Sequence, residues 1–105
     1  MIDPYLEEKL PQLIDACNRY NVARLFAFGS IVDGRFVKGS SDIDLLVEFD
    51  EQLPPKEKSK QLLKLWIQLQ AILESKVDLV TNDNIEGAYF KKYLELYKVK
   101  IFEKE

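Results

Sequence analysis

The spacing of apolar residues along the chain predicts helices that alternate with strands. The first apolar residues recur at helical intervals: Leu6, Leu10, Leu13, Ile14 and Cys17. Asp3 and Pro4 are typical of a helix cap followed by a first-turn proline. Pro11 interrupts the pattern, because proline lacks an N–H group and clashes with the preceding helical turn. We therefore expect either a kinked helix or a short turn before a helix that starts near Pro11.

Three short apolar runs predict strands, at residues 24–28, 42–49 and 76–80. Side chains two residues apart in a strand point to the same face. In the second run, one face carries only apolar side chains: Ile43, Leu45, Val47 and Phe49. Leu46 therefore shares the other face with Asp42 and Asp44. In the third run, Asp78 faces away from Val77 and Leu79.

The remaining segments complete an α/β pattern. A long helix is predicted after Pro54 and Pro55, with an apolar stripe formed by Leu62, Leu65, Trp66, Leu69, Ile72 and Leu73. A polar turn at residues 82–84 precedes a helix at about residues 86–96, and residues 99–102 form either an edge strand or a fraying tail. This order predicts a small mixed β-sheet covered by helices.

Composition narrows the possible functions. The 105 residues, of which 47% are hydrophobic, suit one domain that spans residues 1–105. A net charge of −3 argues against a long nucleic acid as partner, and the absence of histidine excludes histidine-based nucleophile pairs and the usual zinc sites. Cys17 is expected in the core. No signal segment and no apolar run near the ~20 residues that cross a bilayer is visible, so we expect a cytoplasmic protein without a membrane partner.

Three aspartates indicate a site for a divalent cation. Asp42 and Asp44 project from one strand face and repel each other unless a cation lies between them, for which Mg²⁺ is the natural candidate. If the third strand lies beside the second, Asp78 joins them. Burial of an unpaired carboxylate costs several kcal/mol, and metal binding would explain why Asp78 stands in an apolar strand. The alternative is an ordinary carboxylate at an exposed strand edge.

The segment between the first two strands has features of a phosphate-binding turn. Gly29 and Ser30 end a strand and begin a predicted short helix, whose N–H groups and serine hydroxyl suit a phosphate. Arg35 and Lys38 either reach phosphates or are solvated loop charges. The pair at residues 40–41 most simply forms a polar turn.

These residues resemble the minimal nucleotidyltransferase (MNT) family of the DNA polymerase β-like superfamily. The resemblance rests on Phe28-Gly29-Ser30, Gly34, the run at residues 41–49 and the run at residues 77–80. It implies a polymerase β-like fold in which Asp42 and Asp44 bind the metal, with two Mg²⁺ ions, and Asp78 completes the site or deprotonates the acceptor. Gly29, Ser30 and Ser41 would bind the nucleotide, with ATP as substrate. Asp33 departs from the basic residue common in the family and would repel a triphosphate.

The resemblance also implies a partner. Minimal members are commonly encoded beside a HEPN ribonuclease toxin, and we expect an antitoxin that transfers AMP from ATP to a tyrosine of such a toxin. One alternative is a non-catalytic antitoxin that acts by occlusion, and another is transfer to a small molecule. Four aromatic residues near the C-terminus either face the core or form a surface for a partner or for self-association: Tyr89, Phe90, Tyr93 and Tyr97.

Overall fold

The computed structural model describes residues 2–105, and its elements follow the predicted order. They are α1 (Pro4–Arg19), β1 (Val22–Phe28), α2 (Ser30–Asp33), β2 (Ile43–Phe49), α3 (Pro55–Leu73), β3 (Val77–Thr81), α4 (Ala88–Tyr97) and β4 (Val99–Glu103), with a 3₁₀ turn at Asn82–Asn84. Strand ends differ from the predicted ones by one or two residues. The segment at the C-terminus is a strand and not a fraying tail.

The four strands form one mixed sheet, in the order β3-β2-β1-β4. β1 pairs antiparallel with both β2 and β4, whereas β2 and β3 are parallel. A parallel pair needs a crossover connection, and α3 supplies it. The predicted α/β class and mixed sheet are confirmed.

Each face of the sheet is covered by different helices. Helices α1 and α3 pack on one face and share the larger core cluster with the sheet. Its central members are Leu13, Cys17, Leu25, Ile43, Leu45, Leu65 and Leu69. Helix α4 packs on the opposite face, where Leu94 contacts Phe26, Phe28 and Leu46. Strand alternation places Asp44 on the same side of β2 as Leu46, so the carboxylate and α4 share this face.

Helix α1 is a single helix that contains Pro11, so the alternative of a separate turn is wrong. Asp3 caps it, and its carboxylate accepts a hydrogen bond from the Tyr5 N–H at 2.9 Å. Pro11 is exposed, so the helix tolerates it on a side that is open to solvent. Cys17 lies on the buried side, where burial raises the pKa of its thiol to about 12, so it is core as predicted.

The C-terminal aromatic residues divide between core and surface. Phe90 and Tyr93 are half-buried against the sheet, while Tyr89 is 95% exposed and Tyr97 is 59% exposed. Of the two alternatives for these residues, contact with the core therefore holds for Phe90 and Tyr93 and surface exposure for Tyr89 and Tyr97. None of the helices within residues 2–105 is both long and apolar enough to cross a membrane.

Replacing Leu94 with alanine should destabilise the fold by about 2–3 kcal/mol, because Leu94 is the fully buried contact of α4. The matched control is Leu96→Ala, in which the same atoms are removed from a side chain that is 61% exposed and the effect should stay below about 0.5 kcal/mol. Urea unfolding followed by circular dichroism gives both values. Equal losses for the two variants would contradict the assigned packing of α4.

Candidate active site

The three predicted acids lie at one end of the sheet, where β2 and β3 begin and β1 ends. Asp44 and Asp78 are each the second residue of their strands, and they are direct partners in the parallel register. Neighbouring strands lie about 4.8 Å apart and aligned side chains share a face, so the two carboxylates are adjacent. Asp42 precedes β2 by one residue and lies two positions from Asp44. The structure therefore brings Asp42, Asp44 and Asp78 to one edge.

The neighbouring carboxylates and burial both disfavour the ionised form of Asp44. Asp44 is half-buried, and its pKa is raised to about 6, first by burial and then by the negative charges of Asp78 and Asp42. Glu48 lies on the same face of β2 but has partners: burial opposes ionisation there, yet hydrogen bonds from Arg24 and Asn82 lower its pKa. Within residues 2–105, no hydrogen bond or ion pair to the Asp44 carboxylate is found.

Asp78 is exposed, so the cost of a buried charge does not explain why an aspartate stands at this position. The sequence predicted a carboxylate buried in an apolar strand, with an exposed strand edge as the alternative. The structure shows the alternative, because β3 is an edge strand and Asp78 is exposed. Asp78 is still aligned with Asp44 in the parallel register, and its negative charge raises the pKa of Asp44. Its exposure also leaves it accessible to a second molecule.

The donor chemistry of this edge suits a hard divalent cation. Three carboxylates offer only oxygen ligands, which is the set that Mg²⁺ prefers. Asp42 is also exposed, and the Lys76 Nζ lies 3.9 Å from the Asp42 Oδ2. In the part of the chain that the structure describes, no three acidic, cysteine or histidine side chains are grouped tightly enough to make a ready-formed metal cluster. These three acids are nevertheless the residues that would hold such an ion.

Gly29 lies directly against the Asp44 carboxylate. It is buried and has φ 73° and ψ −148°, a conformation open essentially only to glycine. A Cβ at this position would lie 2.3 Å from the Asp44 Oδ2, so any side chain would displace the carboxylate. The glycine therefore serves both the sharp turn after β1 and the position of Asp44.

The strand–Gly-Ser–helix arrangement is present as predicted. The Gly29 carbonyl accepts hydrogen bonds from the N–H groups of Val32 and Asp33 at 3.1 and 3.2 Å, and Ser30 is the first residue of the four-residue helix α2. Ser41 is differently engaged: its Oγ accepts a hydrogen bond from the Val37 N–H at 3.0 Å. This contact supports the interpretation of a polar turn, and the assignment of Ser41 to nucleotide binding remains a prediction.

Two charges in the α2–β2 loop that sequence reasoning had left open have partners within the chain. Arg35 donates to the Asp33 Oδ2 through Nε at 2.9 Å and Nη2 at 2.6 Å, and these bonds lower the pKa of Asp33. The negative charge of Asp33, expected to repel a triphosphate, is thus offset locally. Lys38 lies over the Tyr5 ring, with Nζ 4.7 Å from the ring centroid, and donates to the Glu74 carbonyl at 3.3 Å.

One residue that sequence reasoning did not place at the site is Tyr93. Its hydroxyl oxygen accepts a hydrogen bond from the Gly29 N–H at 3.1 Å, across 64 positions of sequence. Helical spacing indicates only that Tyr93 lies on the sheet-facing side of α4. No sequence signal specifies which backbone group the hydroxyl reaches, because that depends on how α4 docks onto the sheet.

Comparison with known proteins places the chain in a family. The family model for the nucleotidyltransferase domain matches residues 10–103. The chain therefore belongs to the nucleotidyltransferase domain family, and it is an enzyme of that class. The match includes β1, the turn at Gly29 and all three aspartates.

Two relatives have names that are more specific than the family description. A Methanocaldococcus jannaschii protein, provisionally named a protein adenylyltransferase, is 40% identical over 78 residues, which are 74% of this chain and 75% of the relative. A second protein of that organism with the same provisional name is 34% identical over 77 residues, or 73% of this chain and 74% of the relative.

Solved structures share the fold. A provisionally named minimal nucleotidyltransferase superposes with a TM-score of 0.67 at 23% identity, covering 94% of this chain and 95% of that one. A toxin–antitoxin complex with AMP-PNP gives 0.65 at 19% identity, covering 91% and 74%. The complex of a tri-AMPylated Shewanella oneidensis HEPN toxin with its MNT antitoxin gives 0.57 at 17% identity, covering 93% and 72%.

Asp44→Asn should stabilise the protein at neutral pH in the absence of divalent ions. The pKa of Asp44 in the folded protein, about 6, lies above the ordinary aspartate value of 3.8, so protonation of Asp44 stabilises the fold fully below about pH 4, and this contribution is lost as pH rises through 6. Because the group is half-exposed, we expect the variant to gain about 1–2 kcal/mol over the wild type at pH 7.5 and little at pH 4. Urea unfolding at both pH values measures this. Exposed Asp83→Asn is the control, and no gain for Asp44→Asn at pH 7.5 would contradict the repulsion.

Gly29→Ala should both destabilise the fold and abolish Mg²⁺-dependent stabilisation, because the new Cβ displaces the Asp44 carboxylate. Gly87→Ala is the matched control: Gly87 is also a helix N-cap with positive φ, but a Cβ there meets no atom within 4 Å. Both changes should cost about 1–3 kcal/mol from backbone strain, with Gly29→Ala the larger. Thermal unfolding with and without MgCl₂ separates the effects. A Mg²⁺ response that survives in Gly29→Ala would be inconsistent with this geometry.

Proposed function

We propose that this protein is a Mg²⁺-dependent protein adenylyltransferase that transfers AMP from ATP to a tyrosine of a HEPN-type toxin and so acts as its antitoxin. The observation that carries the proposal is the aligned pair Asp44 and Asp78, next to Asp42 and the turn at Gly29. In a nucleotidyltransferase, such a set of carboxylates is suited to bind the cation that accompanies a nucleoside triphosphate.

The relatives support the acceptor and the partner. The two Methanocaldococcus jannaschii proteins are provisionally named as protein adenylyltransferases. Among the structural neighbours, one MNT antitoxin is bound to a tri-AMPylated HEPN toxin, and another toxin–antitoxin complex contains AMP-PNP. These descriptions favour AMP as the transferred group and a protein as the acceptor, with a tyrosine hydroxyl as the nucleophile that the family resemblance implies.

Asp42, Asp44 and Asp78 would hold two Mg²⁺ ions. Bound there, Mg²⁺ would supply charge stabilisation for the attacking and leaving oxygens of an in-line displacement. Placing the three carboxylates at the start of parallel strands keeps their backbone fixed, because the apolar residues on the other face of β2 and β3 are buried.

The remaining chemistry uses groups of the chain and the acceptor. The tyrosine oxygen forms a bond to the α-phosphorus of ATP, the bond from that phosphorus to the bridging oxygen breaks, and pyrophosphate leaves. Asp78 is exposed to an incoming molecule, and it would either complete the metal site or accept the phenolic proton, the two roles that the family resemblance implies. The turn at Gly29 and Ser30 holds the phosphates. The exposure of Asp42 and Asp78 leaves the carboxylate edge open to an acceptor.

A second candidate, neutralisation by occlusion without catalysis, is favoured by the outer surface of α4. Tyr89, Leu96 and Tyr97 are 95%, 61% and 59% exposed, and clustered exposed apolar side chains are typical of protein-binding surfaces. Such a surface suits a bound partner whether or not transfer follows. The two candidates differ in their need for the carboxylates.

Incubating the protein with labelled ATP, MgCl₂ and a HEPN-type partner protein should label the partner with AMP on tyrosine. Asp44→Asn should reduce the transfer rate at least about 100-fold, since it removes the acid between the other two. Asp83→Asn, on the exposed 3₁₀ turn, is the control and should retain the rate. Mass spectrometry of the partner identifies the modified residue.

The double variant Asp42→Asn/Asp44→Asn distinguishes the two candidates. Adenylyl transfer predicts that this variant still binds the partner but no longer protects cells from it. Full protection by a variant that transfers no label would reject catalysis as the basis of neutralisation and leave occlusion.

A further inference from the structure

Tyr93 links helix α4 to the turn beside the carboxylates. Its hydroxyl oxygen lies 3.1 Å from the Gly29 nitrogen and accepts that N–H. Gly29 in turn lies against the Asp44 carboxylate, as the 2.3 Å distance from a hypothetical Cβ to Oδ2 shows. A chain of two direct contacts therefore connects Tyr93 to the most enclosed of the three acids.

The Gly29 N–H needs this partner because of where it lies. Phe28 is the last residue of β1 and pairs with Asp44, so the ladder between β1 and β2 ends there. Gly29 is buried, and a buried N–H without an acceptor costs about 1–3 kcal/mol. The tyrosine hydroxyl takes the place of a backbone acceptor where the sheet can no longer provide one.

The position of the hydroxyl is set by aromatic packing. The Tyr93 ring stacks on Phe90 with centroids 6.2 Å apart and meets Phe28 edge-on at 6.4 Å. On its outer side it contacts Tyr97 at 5.3 Å. A ring held on three sides has little freedom, so its oxygen acts as a fixed acceptor rather than a mobile surface group.

We propose that Tyr93 is a positioning residue of the nucleotide site. Its hydroxyl fixes the Gly29 backbone, and through Gly29 it fixes the start of α2 and the place of the Asp44 carboxylate. The role rests on the proposed function, because positioning has a consequence only if this turn and this acid bind Mg²⁺ and ATP. Tyr93 is not assigned a catalytic role, since its recorded polar contact is to the backbone.

Tyr93→Phe tests the role, because it removes one oxygen and keeps the ring that packs against Phe28 and Phe90. The matched control is Tyr97→Phe, which removes the same atom from the adjacent, exposed ring. The chain has four glycines, so their amide signals in a ¹H–¹⁵N spectrum are readily assigned. Tyr93→Phe should move the signals of Gly29, Ser30 and Asp44, and leave those of Gly34, Gly39 and Gly87 in place. Tyr97→Phe should move none of the first three.

Binding of MgATP provides the functional readout. Tyr93→Phe should weaken MgATP binding, measured by calorimetry, about 5- to 10-fold, as expected for the loss of one positioning hydrogen bond. Tyr97→Phe should stay within about twofold of the wild type. In transfer assays, the change should appear in KM for ATP more than in kcat, since Tyr93 holds the binding turn and does not touch the acceptor.

The outcomes separate this inference from the proposed function. Wild-type affinity in Tyr93→Phe, or an unmoved Asp44 signal, overturns the positioning role. Weakened binding with signal changes spread over Leu46 and Leu94 also overturns it, because that pattern reports loosened packing. If the wild type itself does not bind MgATP, the proposed function fails. Movement of the Ser30 and Asp44 signals in Tyr93→Phe would then still support the link from Tyr93 to Asp44, and unmoved signals would overturn it.

Discussion

The parallel pairing of β2 with β3 is the constraint on which the site depends, because it holds Asp44 beside Asp78 against their mutual repulsion. On the other face of the same two strands, Ile43 pairs with Val77 and Leu45 with Leu79, and these side chains pack against α1 and α3. A slip of one residue would turn Asp78 toward that apolar core and the apolar residues toward solvent. The free energy of burying one face thus determines where the charges of the other face lie.

Two further contacts complete the edge, and both involve Gly29. Its conformation, with φ 73°, turns the chain out of β1 and brings backbone against the Asp44 carboxylate without a side chain between them. Its N–H is accepted by Tyr93 of α4, the helix that covers the same face of the sheet. The site is therefore assembled from the ends of three strands and held by one helix, and a change in the docking of α4 reaches the acids through a single glycine.

Local pattern was sufficient to predict the fold, but not the partners of the charged side chains. Alternation in residues 42–49 separated Leu46 and Asp44 from the face that packs against α1 and α3, and the order of elements indicated the mixed sheet. The pairing of Asp33 with Arg35 depends on rotamers in a loop, and the exposure of Asp78 depends on β3 lying at the edge of the sheet. Tyr93 reaches Gly29 across 64 positions, a distance at which periodicity carries no information. The roles of the predicted site residues, Ser41 among them, remain predictions.

The energetics of the carboxylate edge of the sheet favour catalysis over occlusion as the function of its residues. A module that only covered a partner would bind through the exposed residues of α4 and would be more stable without the half-buried charge of Asp44, whose pKa is raised by burial and by two neighbouring acids. Repulsion concentrated at one point is expected where a bound cation relieves it. Glu48 lies on the same strand face, but hydrogen bonds from Arg24 and Asn82 offset the effect of its burial. The uncompensated carboxylate is thus one that would meet the nucleotide.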